Sequence, residues 1–173
     1  MGVGKISLKK ILVMSFDDSF LPSFTKIIFK KIITIPEDIG FYNLTNKDNG
    51  SIYTFLSSKI RRIWIHHFIG THGIIILYEG EESKDNISEI MSILSNSYLE
   101  NVPVLFIMSK KLEKDYDYLE KLRFNLYVKS ILFNIIFINF DIRTKENELF
   151  YGIDWLQDNL YQIQTINSNS KKI

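Results

Sequence analysis

Phe41-Tyr42-Asn43-Leu44-Thr45-Asn46-Lys47-Asp48-Asn49-Gly50-Ser51-Ile52-Tyr53-Thr54-Phe55-Leu56 is the stretch on which the fold turns. Two β-rich runs, Phe41 to Thr45 and Ser51 to Leu56, flank Asn46-Lys47-Asp48-Asn49-Gly50. Asn49-Gly50 favours positive φ, so the stretch reads as an antiparallel hairpin. On either side, short apolar runs alternate with helical patterns, which implies a mainly parallel sheet with helices on both faces.

Upstream, Ile11 to Phe16 is a buried first strand, and Phe24, Ile27 and Ile28 recur at helical spacing. Downstream, Ile74 to Tyr78 is a strand, and Ile87, Ile90, Met91 and Leu94 mark one face of a helix. Val102 to Met108 is a further buried strand, Leu119, Leu122 and Leu126 form a helical stripe, and Ile131 to Asn139 holds the last strand. Leu149, Ile153, Leu156, Leu160 and Ile163 give the clearest amphipathic helix. The expected order is β-α-β-β-α-β-α-β-α-β-α: an α/β fold with a six-stranded, mainly parallel sheet. We assign residues 1–8 to an N-terminal segment, 9–164 to one domain and 165–173 to a polar tail.

The 173 residues are enough for one sizeable core. Apolar residues at 46% and aromatics at 14% exclude a disordered chain. A formal net charge of +1 supplies no global field toward nucleic acid or acidic lipid. Without Cys there is neither a disulfide nor a thiolate zinc site. The absence of Ala, beside abundant Ile, Asn and Lys, reads as codon bias. The longest apolar runs fall far below the roughly 20 residues of a membrane span. Ile11 to Met14 is too short for a signal-peptide core of about 7–15 residues. A cytoplasmic protein is expected.

Three stretches carry a family resemblance. Thr34-Ile35-Pro36-Glu37-Asp38-Ile39-Gly40-Phe41 resembles the switch I segment of ADP-ribosylation factor (Arf) small GTPases. Ser58-Lys59-Ile60-Arg61-Arg62-Ile63-Trp64-Ile65-His66-His67-Phe68 resembles the stretch after their switch II, and Phe150-Tyr151-Gly152-Ile153-Asp154-Trp155-Leu156 their last helix. Order and spacing agree from about Lys9 to Leu160, and β-α-β-β-α-β-α-β-α-β-α is the small-GTPase arrangement. The resemblance implies partner recognition through a switch-like surface including Ile39, Phe41, Trp64 and His67. For Trp64 and Phe68, ordinary core packing is the competing reading.

The nucleotide-binding positions depart from the family. A phosphate loop needs G-x-x-x-x-G-K-[ST], its glycines admitting backbone to the phosphates and its Lys pairing their charge. The matching stretch is Ser15-Phe16-Asp17-Asp18-Ser19-Phe20-Leu21-Pro22. Ser15 and Phe20 replace the glycines, Leu21 the Lys, and Pro22 the Mg²⁺-binding hydroxyl residue. Asp17 matches an Asp of the Arf loop, and Asp18 adds a negative charge. Pro22 suits the first turn of a helix, and Asp17, Asp18 and Ser19 are candidates to cap it. The family's D-x-x-G-Q becomes Phe55-Leu56-Ser57-Ser58, and its guanine-reading N-K-x-D becomes Ser109-Lys110-Lys111-Leu112. Only Lys110 survives, and the base-backing loop near Ile142-Arg143-Thr144 is unrecognisable. Glu37 or Asp38 stands for the Mg²⁺-binding Thr. At roughly 1.5–3 kcal/mol per hydrogen bond to a charged group, these losses remove ~5–9 kcal/mol, about four to six powers of ten in affinity.

The expectation is therefore an Arf-like pseudo-GTPase: a protein-interaction module of vesicle or membrane traffic, with no cofactor. A diverged but functional switch binding GTP or GDP with Mg²⁺ is the alternative, and an enzyme with a new pocket in the old cleft a third. His66, His67 and His72 lack carboxylates at metal-ligand spacing. Glu79, Glu81 and Glu82 read as a solvated loop. Lys26, Lys30 and Lys31 sit where a helix dipole favours cations, with a phosphoinositide or acidic partner as the functional reading. Met1-Gly2 makes Gly2 a candidate for acylation, although Ile6 stands where the motif wants Ser or Thr. With Lys5, Lys9 and Lys10 that lipid would attach the chain peripherally to an intracellular membrane.

Overall fold

The computed structural model describes residues 7–78, 84–109, 124, 135–140 and 146–169. Strand β1 (Lys9–Ser15) leads through a loop into helix α1 (Leu21–Phe29). The hairpin follows as β2 (Phe41–Asn46) and β3 (Ser51–Leu56), and then a 3-10 helix at Ser58–His67. After it come β4 (Gly73–Tyr78), α2 (Lys84–Leu94), a short 3-10 turn at Ser97–Leu99, β5 (Val104–Ser109), β6 (Ile135–Phe140) and α3 (Glu146–Asn169). The expected helix around Leu119, Leu122 and Leu126 lies outside the described residues.

The sheet has six strands in the order β2-β3-β1-β4-β5-β6. Among the described residues only the β2–β3 pair is antiparallel. This is the mainly parallel arrangement expected of a chain with one hairpin among β/α alternations. At its turn, Gly50 takes a φ of 64°, and Asp48 N–H donates to Asn46 Oδ1 at 3.0 Å. Asn49 keeps a negative φ, so the glycine alone supplies the left-handed residue.

The central strands bury both faces. Every residue of β4, Gly-Ile-Ile-Ile-Leu-Tyr, is buried, the pattern of a strand covered on both sides. Alternate residues divide into two cores. Leu12, Met14, Ile74, Ile76 and Phe106 pack with Trp64, Phe68, Ile90 and Leu94. Ile11, Val13, Ile75, Leu77 and Leu105 pack with α1 and α3 through Leu21, Phe24, Leu149, Ile153, Leu156 and Leu160. Each fully buried aliphatic or Phe side chain contributes roughly 1.5–3 kcal/mol relative to exposure. Gly152 lets α3 lie directly on the sheet: a Cβ there would collide with Ile138 and come within 2.8 Å of Leu105 Cδ1.

Two boundaries differ from expectation. The segment after β3 winds as a 3-10 helix with a kink at Ile60 (φ −109°, ψ 21°). Helix α3 runs to Asn169, through part of the polar tail assigned to residues 165–173. No Gly or Pro falls between Ile153 and Asn169, and polar residues cost at most about 0.7 kcal/mol each against Ala in a helix.

Candidate functional site

The loop between β1 and α1 and the segment after β3 are bound together by side chains. Ser15 is wholly buried, and its hydroxyl donates to Asp17 O at 2.6 Å. Asp17 Oδ1 accepts Ser19 N–H at 2.9 Å, folding the loop on itself. Phe20 N–H and Leu21 N–H donate to Asp17 O and Asp18 O, which starts the turn that becomes α1. Pro22 stands in the first turn, as its missing N–H favours.

Phe20 and Leu21 point inward. They are 2% and 3% exposed and belong to the core beneath α1 and α3. The positions expected from sequence to correspond to a phosphate-loop Gly and Lys hold packed hydrocarbon.

The expected cap is a correction. Phe20 is the N-cap of α1, and no side chain caps it. Asp18 instead reaches across the cleft: Ser57 Oγ donates to its Oδ2 at 2.6 Å, and Ser58 N–H donates to its Oδ1 at 2.8 Å. Both of its carboxylate oxygens accept hydrogen bonds from the segment after β3. Local capping rules could not find partners 39 and 40 residues away.

Ser57 is a junction that the sequence did not flag. It is 3% exposed, its N–H donates to Gly40 O at 3.0 Å, and its carbonyl accepts Trp64 Nε1–H at 3.0 Å. Arg61 was also missed. Its guanidinium lies 4.9 Å over the Phe16 ring, donates to Phe16 O, and pairs with Glu89 at 3.1 Å. Nothing in the Arg61-Arg62 pair marks which of the two is engaged. On the exposed side, Lys59 forms an ion pair with Glu37. Its hydrogen bond and charge hold the Glu37 carboxyl below its usual range.

The expected partner surface divides. Ile39 is 50% exposed, on a turn in which Gly40 N–H donates to Pro36 O at 2.8 Å. Phe41 and His67 are half-buried, their rings 5.0 Å apart and tilted by 57°. Trp64 is a correction: at 1% exposure it is core, packed edge-on against Phe16 at 5.3 Å, and unavailable to a partner. Its exposed neighbours are Ile63 and Ile65, at 45% and 47%. Phe68 is also core.

Burial, with help from Lys10 and His66, lowers the pKa of His67. His72, 62 residues from Lys10 in sequence, meets the start of β1: its Nδ1 accepts Lys10 N–H at 3.1 Å. Burial, then Lys9 and Lys10, lowers its pKa. Among the described residues no three His, Asp or Glu side chains gather to hold a metal. No helix among them is long and apolar enough to cross a membrane.

The basic cluster is partly engaged by aromatic rings. Lys30 lies 5.4 Å over Phe150, and Lys31 5.9 Å over Tyr42. Lys26 and Lys30 line a cavity of about 470 Å³ with Ser23, Ile27 and Glu146. Ser109 ends β5 opposite Phe140. Lys110, Leu112, Gly2, the Ile142-Arg143-Thr144 loop and Glu79, Glu81 and Glu82 lie outside the described residues.

No family model matches this chain, and no curated protein matches it. A solved structure that it resembles is the Arl6 BBS3 small GTPase from Trypanosoma brucei with bound nucleotide analogue GppNp. The two are 18% identical and superpose with a TM-score of 0.61, over 89% of this chain and 98% of that one. Sheet order, hairpin position and this likeness agree: the chain has the fold of a small GTPase.

Proposed function

We propose that the chain is an Arf-like pseudo-GTPase, a protein-interaction module of intracellular vesicle or membrane traffic in which GTP binding is lost or very weak. One observation carries the reading: Phe20 and Leu21 are packed into the core at the positions where a phosphate loop presents a glycine and a lysine. Backbone approach to a phosphate at Phe20 requires a ring to leave its packing, and no ammonium replaces the missing charge at Leu21.

The residues present do not fit GTP with Mg²⁺. The Ser57 hydroxyl is spent on Asp18, and both Asp18 oxygens accept hydrogen bonds from the chain itself. Pro22 has no hydroxyl for the metal. GTP hydrolysis is lost with binding.

The partner face of the proposed module is the exposed edge around Ile39, with Phe41 and His67 behind it. Trp64 supports that face from below. Acylation of Gly2 would add peripheral membrane attachment, and intact-mass analysis after co-expression with an N-myristoyltransferase tests that part.

Calorimetry with Mg²⁺ and GTP or GDP tests the central reading. The expected result is no binding at submicromolar dissociation constants. A submicromolar constant overturns it in favour of a diverged GTP switch, the reading favoured by the nucleotide analogue named for the similar solved structure.

A further inference from the structure

We infer that Asp18 is a positioning residue that replaces a bound ligand: its carboxylate is the chain's own anion, and it holds the partner face in one arrangement. The inference rests on the proposed reading of that face, whereas its experiment reads the latch itself and uses no nucleotide.

The contacts are specific. Ser58 is the first residue of the 3-10 helix. Its N–H belongs to the opening turn, where backbone donors have no acceptor within the helix and a negative charge is favoured. Asp18 Oδ1 takes that proton donor at 2.8 Å. Asp18 Oδ2 takes the Ser57 hydroxyl at 2.6 Å, and the same hydroxyl oxygen accepts Lys59 N–H at 3.2 Å. Hydrogen bonds to an ionised carboxylate are shorter and stronger than neutral ones, and these two join segments 39 and 40 residues apart.

From Ser57 the restraint passes to both halves of the face. Ser57 N–H holds Gly40 O, between Ile39 and Phe41. Ser57 O holds the Trp64 indole, between Ile63 and Ile65. The Ile60 side chain closes on Gly40, so that no Cβ fits there. Phe41 and His67 complete the contact between the halves. Lys59 and Glu37 add a second tie, but an exposed one, and exposed pairs contribute little. Arg61, further along the 3-10 helix, ties it to Phe16 O of the same loop, so removal of Asp18 should loosen the start of the helix, at Ser57 and Ser58, rather than all of it.

The experiment uses the full chain and the Asp18→Ala variant. Backbone hydrogen exchange is followed in peptides covering residues 57–68, together with Trp64 fluorescence. Exchange there should accelerate by about tenfold or more on loss of a charge-assisted pair of bonds. Sodium formate should restore protection by supplying a carboxylate to Ser57 and Ser58, and sodium chloride at equal ionic strength should not. Unchanged exchange in Asp18→Ala, or acceleration that formate does not reverse, overturns the inference. If Asp18→Ala does not fold, Asp18→Asn and Ser57→Ala decide. Non-additive effects of the two on exchange support the latch, and additive effects overturn it. Nucleotide binding by the wild type would defeat the pseudo-GTPase reading without altering any of these outcomes.

Discussion

Gln157 on α3 donates through Nε2 to the Tyr53 hydroxyl of β3 at 2.7 Å, across 104 residues of sequence. Asn49, at the hairpin turn, donates to the same oxygen at 3.3 Å. The Tyr53 side chain is 1% exposed, and its pKa is raised by burial against the pull of these two amides. The last helix and the hairpin are therefore joined by a partly buried polar contact as well as by hydrocarbon.

Gln157→Leu should cost roughly 1–3 kcal/mol, the range for weakening the satisfaction of a buried polar group. Urea unfolding should show a lower midpoint at an unchanged slope. Adding Tyr53→Phe should recover part of the loss, since both partners are then apolar.

Gly40→Ala should be more damaging than a surface glycine change. Gly40 has a φ of 75°, which costs an L-residue roughly 1–2 kcal/mol. The new Cβ would also collide with Ile60. The same change at Gly50, where a Cβ meets nothing within 4 Å, isolates the backbone term. Thermal unfolding of Gly40→Ala, Gly50→Ala and Gly40→Ala with Ile60→Ala separates strain from collision: the added Ile60→Ala should relieve only the collision.

Leu21→Lys places the lysine of a phosphate loop in its sequence position without recreating the loop. Leu21 is 3% exposed, so the variant should lose stability on the order of the 1.5–3 kcal/mol of burying a leucine. Phe20 still fills the backbone approach, so calorimetry should show no gain of submicromolar GTP binding. Thermal unfolding of the variant and of the wild type should be unmoved by Mg²⁺-GTP, where a ligand at 100 times its dissociation constant would add about 2.7 kcal/mol.

Acid should weaken the fold through His72. Its folded pKa lies below the ordinary histidine value because of burial, then Lys9 and Lys10. The unfolded chain therefore takes up the proton first. Stability is complete above about pH 6.5, the unfolded value, and is lost as pH falls through the folded pKa. Protonation also removes the acceptor that Nδ1 offers Lys10 N–H. His67, shifted the same way, adds to the slope. Urea midpoints should fall from pH 7.5 to 5.5, and less steeply in His72→Asn.

The fold was legible where its cause is local or periodic. Asn49-Gly50 marked the hairpin because a two-strand turn needs a residue at positive φ, and Gly50 supplies it. Leu149, Ile153, Leu156 and Leu160 marked α3 because helical spacing puts them on one side, and all four are buried. The candidate site was legible only as substitutions. Which way Asp18 points depends on Ser57, far off in the chain, and local capping rules assign it to α1. Trp64 could not be placed because the 3-10 helix leaves Ile63 and Ile65 exposed on either side of it, so neither apolar character nor a 3.6-residue period separates core from surface there.

The Tyr53 contact also bears on how the hairpin can travel. β3 lies parallel to β1, with Ile11 opposite Tyr53 and Met14 opposite Leu56. Sliding β3 along β1 by two residues keeps every side chain on its own face of the sheet, so hydrocarbon packing alone does not forbid it. Such a step moves the strand by about 6.6 Å. That is far outside the reach of the Gln157 hydrogen bond at one end and of the Asp18 bonds to Ser57 and Ser58 at the other. The hairpin is moored fore and aft by polar groups, and any travel along its neighbour must cast off from both α3 and the β1–α1 loop.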